Sequence, residues 1–230
     1  MKWRSHDESQ SVVDERPLRE QFAERKELIA KYLPAETQVT HTRAIRELQA
    51  SGLSERALQQ GATAPAFELQ AHDGSLFSSQ QILQTTRLVF CFFRGRWCPF
   101  CVGQLEAMNA MLPQISEAGA SLVAISPQTV KQSFFMADQH KLKCPLLSDP
   151  KNAVARKFGL AYRVSEAQQA VYRKAMINLP FVNGDESWEL PVPATYILDR
   201  DGTVLYASVE PDYTERPEPS AIVEFLQGTN

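Results

Sequence analysis

Leu88-Val89-Phe90-Cys91-Phe92-Phe93-Arg94-Gly95-Arg96-Trp97-Cys98-Pro99-Phe100-Cys101 is the stretch on which the fold turns. Its first six residues form a short, continuous apolar run rich in Val and Phe, the pattern of a strand buried on both faces. Pro99 suits a first helical turn, because its missing N–H has no intrahelical partner to lose there. The sequence therefore predicts a helix from about Pro99 to Leu112, kinked at Pro113 and resumed to Gly119, and then a second buried strand over Ser121 to Ile125. These elements make one β-α-β unit.

Further along, a helix is expected over Val130 to His140, a short strand at Leu146-Leu147, and a helix from Asn152 to Phe158 closed by Gly159. Ser165 caps a helical stretch to Ile177, with Val171, Tyr172 and Met176 on one side. A loop with Asn183-Gly184-Asp185 and Pro191 follows, and the stretch reads as an insertion. The chain closes with a hairpin, Thr195 to Leu198 and Thr203 to Val209 around Asp201-Gly202, and a helix from about Ser220 to Gln227. Toward the N-terminus, Ala66 to Leu69 reads as a strand, Asp73-Gly74 as a turn, and Ser78 or Ser79 as the cap of a short helix reaching Leu83.

Residues 1–60 read as a helical arm. Leu18, Phe22, Ile29 and Leu33 share a helical face between Pro17 and Pro34; a second run holds Val39, Ala44, Ile45 and Leu48; and a short turn follows Ser54 as N-cap. Residues 61–230 then form an α/β domain, a sheet with helices on both faces.

Composition narrows the function. Among 230 residues, 24 Lys and Arg face 27 Asp and Glu for a net charge of −3, so no basic excess is present to neutralise nucleic acid or an anionic membrane. The longest apolar run falls far short of the ~18 residues of a membrane span, and MKWRSHDESQ lacks the apolar segment of a secretion signal. A cytoplasmic location is expected. Four cysteines are too few for a disulfide scaffold.

Cys98 and Cys101 fall where a strand ends and a helix begins, next to backbone N–H groups without intrahelical partners. Those groups favour an anion and should lower a thiol's pKa. Arg94 and Arg96 can push the same way, Pro99 fixes the backbone between the sulfurs, and Trp97 reads as a packing lid. A reversible Cys98–Cys101 disulfide is expected, with Cys98 at the open mouth of the helix as first nucleophile in disulfide exchange. The alternative is a zinc site completed by His140 and Cys144. Cys91 and Cys144 otherwise read as core, and His6, His41 and His72 as solvated. Val192-Pro193-Ala194-Thr195 places a proline at a strand entry, where a cis bond would present an open backbone edge.

These segments, with Gly61 to Leu69, Ala124 to Pro127, Leu147-Ser148-Asp149 and Asp199 to Gly202, resemble the peroxiredoxin-like branch of the alkyl hydroperoxide reductase and thiol-specific antioxidant superfamily. The resemblance implies a thioredoxin-like fold, a central mixed sheet with helices on both faces. Peroxiredoxins carry P-x-x-x-T-x-x-C, and laying their peroxidatic cysteine on Cys101 puts Arg94 at the proline and Cys98 at the threonine. Pro193 stands where thioredoxins hold a cis-proline, with Thr195 beside it. The site resembles thioredoxin chemistry in a peroxiredoxin frame.

The leading expectation is a peroxidase whose Cys98–Cys101 disulfide forms in turnover and is reduced by a thioredoxin-like protein or a small thiol. On this reading Cys101 holds the family's peroxidatic position. The alternatives are a protein disulfide oxidoreductase and a non-enzymatic redox-sensing module. No cofactor motif is present in the sequence, no metal is expected, and the helical arm is a candidate homodimer surface.

Overall fold

The computed structural model describes residue 14 and residues 16–229, so the expectations for His6 and for the opening residues lie outside the described residues. Three helices come first: α1 (Leu18–Tyr32), α2 (Ala35–Ala50) and α3 (Leu53–Arg56). Pro17 and Pro34 stand at the N-caps of α1 and α2. Gly52, at φ 69°, makes the left-handed step into α3, so that helix starts one residue ahead of Ser54. Next come β1 (Glu68–Ala71), β2 (Leu76–Ser78), α4 (Ser79–Leu83), β3 (Arg87–Phe92), α5 (Pro99–Ala110), α6 (Leu112–Glu117) and β4 (Ala120–Ser126). They are followed by α7 (Val130–Gln139), β5 (Leu146–Ser148), α8 (Ala153–Lys157), β6 (Ala161–Arg163), α9 (Glu166–Lys174) and α10 (Leu179–Asn183). β7 (Glu189–Pro191), β8 (Ala194–Leu198), β9 (Val204–Val209) and α11 (Pro219–Gly228) complete the order.

Seven strands form one mixed sheet in the order β2-β1-β5-β4-β3-β8-β9. β3, β4 and β5 run parallel, and β8 returns antiparallel beside β3 with Phe92 opposite Ala194 and Cys91 opposite Thr195. The two-residue alternation of a strand splits the core cleanly. Val89 and Cys91 of β3 face a cluster built with α1, α5, α6, α7 and α11, while Leu88, Phe90 and Phe92 face a second cluster built with α4 and α8. Phe90 alone stacks on Tyr196 at 5.4 Å and meets Phe158 edge-on at 5.5 Å. Fully burying such a side chain stabilises the fold by roughly 1.5–3 kcal/mol.

Several boundaries differ from the sequence reading. β1 begins two residues later than Ala66, because the chain before it is taken up elsewhere: Ala64 N–H donates to Gly202 O and Phe67 N–H to Ser79 Oγ. The long helix breaks at Met111 rather than Pro113, since the proline ring at 113 is incompatible with an unbroken preceding turn. The stretch read as an insertion carries α10 and β7, and β7 pairs antiparallel with β6, just ahead of that stretch, in a small two-stranded sheet. Its apolar residues Val164, Tyr172, Leu179, Trp188 and Leu190 form a third cluster, against which Trp97 packs.

The Val192–Pro193 bond is trans, as is every peptide bond among the described residues. Both flanks of this strand entry are already paired. Val192 N–H donates to Leu160 O at 2.8 Å, and Pro193 O accepts from Glu210 N–H at 3.0 Å. The open edge expected at Pro193 for an incoming chain is therefore absent.

Candidate active site

β3 ends at Phe92, and the loop Phe93 to Trp97 turns the chain into α5 with Cys98 as its N-cap, Pro99 as its first residue and Cys101 one turn in. All four cysteines are unbridged and buried; Cys98 is 1% and Cys101 0% exposed. Arg94 is buried with them at 1%, an expensive place for a cation. Its Nη1 lies 3.9 Å from Cys98 Sγ, and its Nη2 donates to the Tyr172 hydroxyl. Aromatic faces enclose it: the guanidinium carbon sits 3.9 Å from the Tyr213 ring centre and 4.7 Å from that of Trp97. Burial works against the charge, and the Tyr172 and Tyr162 oxygens with the Cys98 sulfur more than offset it, so Arg94 stays protonated.

A second cation reaches the pair from the segment before α11. Arg216 Nη2 lies 3.6 Å from Cys101 Sγ, and its Nε donates to Gln104 Oε1 at 2.7 Å. Gln104, itself buried, passes the bond on from Nε2 to Thr195 Oγ1 at 3.2 Å.

These charges divide the two thiols. Burial pushes Cys98 up, but the Cys101 thiol as donor and the Arg94 and Arg216 guanidinium groups outweigh it and bring Cys98 down to about 5. For Cys101, burial and the neighbouring Cys98 sulfur drive the thiol well above its ordinary value. At neutral pH this favours a Cys98 thiolate with a Cys101 thiol donating to it. Burial likewise pushes Tyr213 up to about 12 and raises Tyr172 and Tyr162, so the three phenols stay neutral and the thiolate is the anion that faces Arg94.

Of the residues singled out from sequence, Cys98, Cys101, Arg94, Trp97 and Pro99 come together. Pro99 O accepts from Arg25 Nη1 of α1, which ties the arm to the start of α5. Arg96 turns away: its N–H donates to Gln128 Oε1 and its Nε to Gln132 Oε1 of α7. Thr195 faces Cys91 Sγ at 3.6 Å and Gln104 rather than the pair. Pro193 is buried at the entry to β8. The zinc arrangement does not assemble, since Cys144 lies in the core beside Cys91 and His140 Nδ1 stands 3.0 Å from Glu106 Oε1. Among the described residues no group of three or more His, Cys, Asp or Glu side chains is placed to hold a metal.

The roof of the site is the part sequence reading missed. His41, expected in solvent, sits in α2 with its Nδ1 3.1 Å from the Tyr213 hydroxyl and its ring 6.2 Å from that of Tyr172. Burial, with Arg94 adding to it, lowers its pKa to about 4 and keeps it neutral. His72 also has a partner, accepting from Leu146 N–H at 3.2 Å. The arm is fastened across the site: Phe22 meets Phe100 edge-on at 5.2 Å, Lys26 pairs with Glu215, and the Glu218 carboxylate accepts from the backbone N–H groups of Leu18 and Arg19. A carboxylate at a helix N-terminus satisfies donors that have no other partner.

A mixed sheet with a dithiol at the start of the helix after a central strand is the thioredoxin-like arrangement. The sequence profile of the AhpC/TSA family matches residues 60–207, and the chain belongs to that family. It is 27% identical over 150 residues to a protein assigned as a peroxiredoxin in Mycobacterium tuberculosis, covering 65% of this chain and 84% of that one. It is 26% identical over 169 residues to the chloroplastic peroxiredoxin Q of Arabidopsis thaliana, covering 72% and 68%. In fold it is similar to the peroxidoxin BcpB of Mycobacterium tuberculosis, with a TM-score of 0.60 at 20% identity over 75% of this chain and 99% of that one. Peroxiredoxin Q of Xanthomonas campestris gives 0.55 at 20% identity over 70% and 90%. No helix of the described residues is long and apolar enough to cross a membrane.

Proposed function

We propose that this protein is a thiol-dependent peroxidase in which Cys98 attacks and Cys101 resolves. The observation that carries the reading is the buried ion pair of Cys98 with Arg94. The Cys98 thiolate attacks one peroxide oxygen, an S–O bond forms as the O–O bond breaks, and the other oxygen leaves as alkoxide or hydroxide and takes a proton from water. Cys98 sulfenic acid then condenses with the Cys101 thiol to a disulfide and water. A thioredoxin-like protein or a small thiol returns two electrons by exchange, becoming oxidised itself.

Assigning the attack to Cys98 departs from the alignment with the family's peroxidatic position, which falls on Cys101. Charge supports the departure, since the same surroundings that ionise Cys98 hold Cys101 protonated. Burial of both sulfurs favours a small peroxide over a protein disulfide as oxidant. Unbridged thiols fit a reducing compartment, and we place the protein in the cytoplasm. The outer side of the arm, with Leu28, Tyr32 and Val39 exposed, is where a second copy would dock.

Turnover of hydrogen peroxide with thioredoxin or dithiothreitol, run beside insulin reduction, tests the proposal. Peroxide consumption that disappears in Cys98→Ser is the expected result. Insulin reduction without peroxide consumption would overturn it.

A further inference from the structure

Cys98 and Cys101 are 1% and 0% exposed, and the arm is part of what covers them. Pro99 and Phe100, the two residues between the sulfurs, both touch α1: Arg25 Nη1 donates to Pro99 O, and the Phe22 ring meets Phe100 edge-on at 5.2 Å. The seat is cut to fit. A Cβ at Gly103 of α5 would stand 2.6 Å from Arg25 Nη1 and 2.9 Å from Phe22 Cε1, so the helix carries no side chain where the arm lies, although glycine inside a helix is unfavourable relative to alanine.

The hold is nevertheless thin. α1 buries Leu18 and Phe22, and α2, sixteen residues long, leaves no side chain fully buried. Further fastenings are polar: Lys26 with Glu215, the Glu218 carboxylate on the N–H groups of Leu18 and Arg19, and His41 Nδ1 with the Tyr213 hydroxyl. A segment with so few buried apolar contacts opens at lower cost than the sheet beneath it.

Oxidation changes that cost. In a Cys98–Cys101 disulfide neither sulfur is charged, and Arg94 is left with the neutral Tyr172 hydroxyl and the ring faces of Tyr213 and Trp97. A buried cation stripped of its anion is strongly destabilising. His41 roofs Tyr213 and Tyr172, so lifting the arm admits water toward the guanidinium. The Cys101 thiol already donates to Cys98 in the reduced form, so the bond closes without unwinding α5.

We propose that the arm is a gate on the dithiol: closed over the reduced pair, it lifts in the disulfide form and uncovers Pro99, Phe100 and the S–S bond to a protein reductant. The inference rests on the reading of Cys98 and Cys101 as a disulfide formed in turnover. A thiolate of the reductant bonds to one sulfur as the S–S bond breaks and the other sulfur leaves as thiolate. The reductant's second thiolate then attacks the mixed bond, which frees the dithiol here and leaves the reductant as a disulfide. Hydrogen peroxide, a far smaller molecule, needs a smaller opening.

Protein oxidised with diamide and freed of it is compared with reduced protein by hydrogen exchange, and its reduction is timed with thioredoxin and with dithiothreitol. Exchange across Leu18–Tyr32 should be on the order of tenfold faster in the disulfide form, with β3 and β4 unchanged. Gly103→Ala, which crowds the arm out of its seat, should speed reduction by thioredoxin about tenfold, reduction by dithiothreitol less, and oxidation by hydrogen peroxide least. Equal exchange of α1 in the two redox forms overturns the gate, and so does a thioredoxin rate that stays constant while α1 exchange rises in the variant. A disulfide that dithiothreitol reduces and thioredoxin does not, in wild type and variant alike, overturns it too. If Gly103→Ala does not fold or leaves α1 exchange unaltered, Lys26→Glu takes its place: it should speed the thioredoxin reaction, and adding Glu215→Lys should slow it again. A rate that fails to follow this charge swap overturns the gate. Diamide-treated protein whose mass does not fall by about two units would overturn the disulfide reading itself.

Discussion

Cys98 and Cys91 are side chains of one core, equally buried at 1% and 0%, yet they stand at opposite ends of thiol chemistry. Around Cys91 and its neighbour Cys144 the walls are aliphatic, with Thr195 and Gln104 the polar contacts of Cys91. Burial there raises Cys91 to about 11 and Cys144 to about 12, leaving two inert thiols. Around Cys98 the same burial is overridden by a thiol donor and two guanidinium groups. Removal from water by itself makes a cysteine a small hydrophobe; a paired cation removed from water with it makes a nucleophile.

The sharpest break in that comparison is a swap of consequences. Cys98→Ser should abolish peroxide turnover, measured as peroxide consumption under excess reductant, whereas activity in Cys91→Ala should survive. Next in size is the cation. Arg94→Met should move Cys98 from about 5 back toward its ordinary value of 9.0. The Cys101 donor and Arg216 still lower Cys98 in this variant, so at pH 7 the thiolate fraction and the rate fall by up to about 100-fold, and the loss is recovered as the pH is raised. A loss that does not recover with pH would mean Arg94 acts on something other than ionisation.

Acid should loosen the reduced protein, and the sign follows from two groups. Cys98 has a folded pKa below its unfolded value, so its contribution is full above pH ~9 and is lost as pH falls toward 5. His41 is held neutral in the docked arm, so protons favour undocking as pH falls from 6.5 toward 4. Urea midpoints should therefore drop between mildly alkaline and mildly acidic buffer. The drop should be smaller for the disulfide form, which has no thiolate to protonate. Smallest of all is the packing effect of Cys144→Ala, about 1 kcal/mol in unfolding free energy with activity unchanged.

Much of this was legible in the chain, for physical reasons that also mark where legibility stopped. β3, β4 and the β8–β9 hairpin are long apolar runs or carry a strong turn signal, and local pattern suffices for such elements. β2, β6 and β7 are three residues each, too short for any period to emerge. At the site, Arg94, Trp97, Cys98, Pro99 and Cys101 are neighbours in sequence and were found together. Tyr172, Tyr213, His41, Gln104 and Arg216 were not, because each looks ordinary where it stands. Tyr172 lies on the apolar side of α9 and reads as core, and His41 lies in a mostly polar helix and reads as surface. Only the return of the arm, the insertion and the C-terminal segment to one spot gives them meaning. Arg96 and Thr195 show the converse: Arg96 was placed at the site by its nearness to Cys98 in sequence and Thr195 by its place beside Pro193 in the thioredoxin resemblance, and their side chains bond elsewhere.

The central claim is that Cys98 is the ionised sulfur at neutral pH. The ultraviolet thiolate absorbance of fully reduced protein, followed from pH about 4 to about 10 and corrected by the same titration of Cys98→Ser, reads it directly. The account predicts one thiolate appearing with a midpoint near 5 and missing from the variant. A midpoint near 9, or a low-pH thiolate that persists in Cys98→Ser, would contradict it.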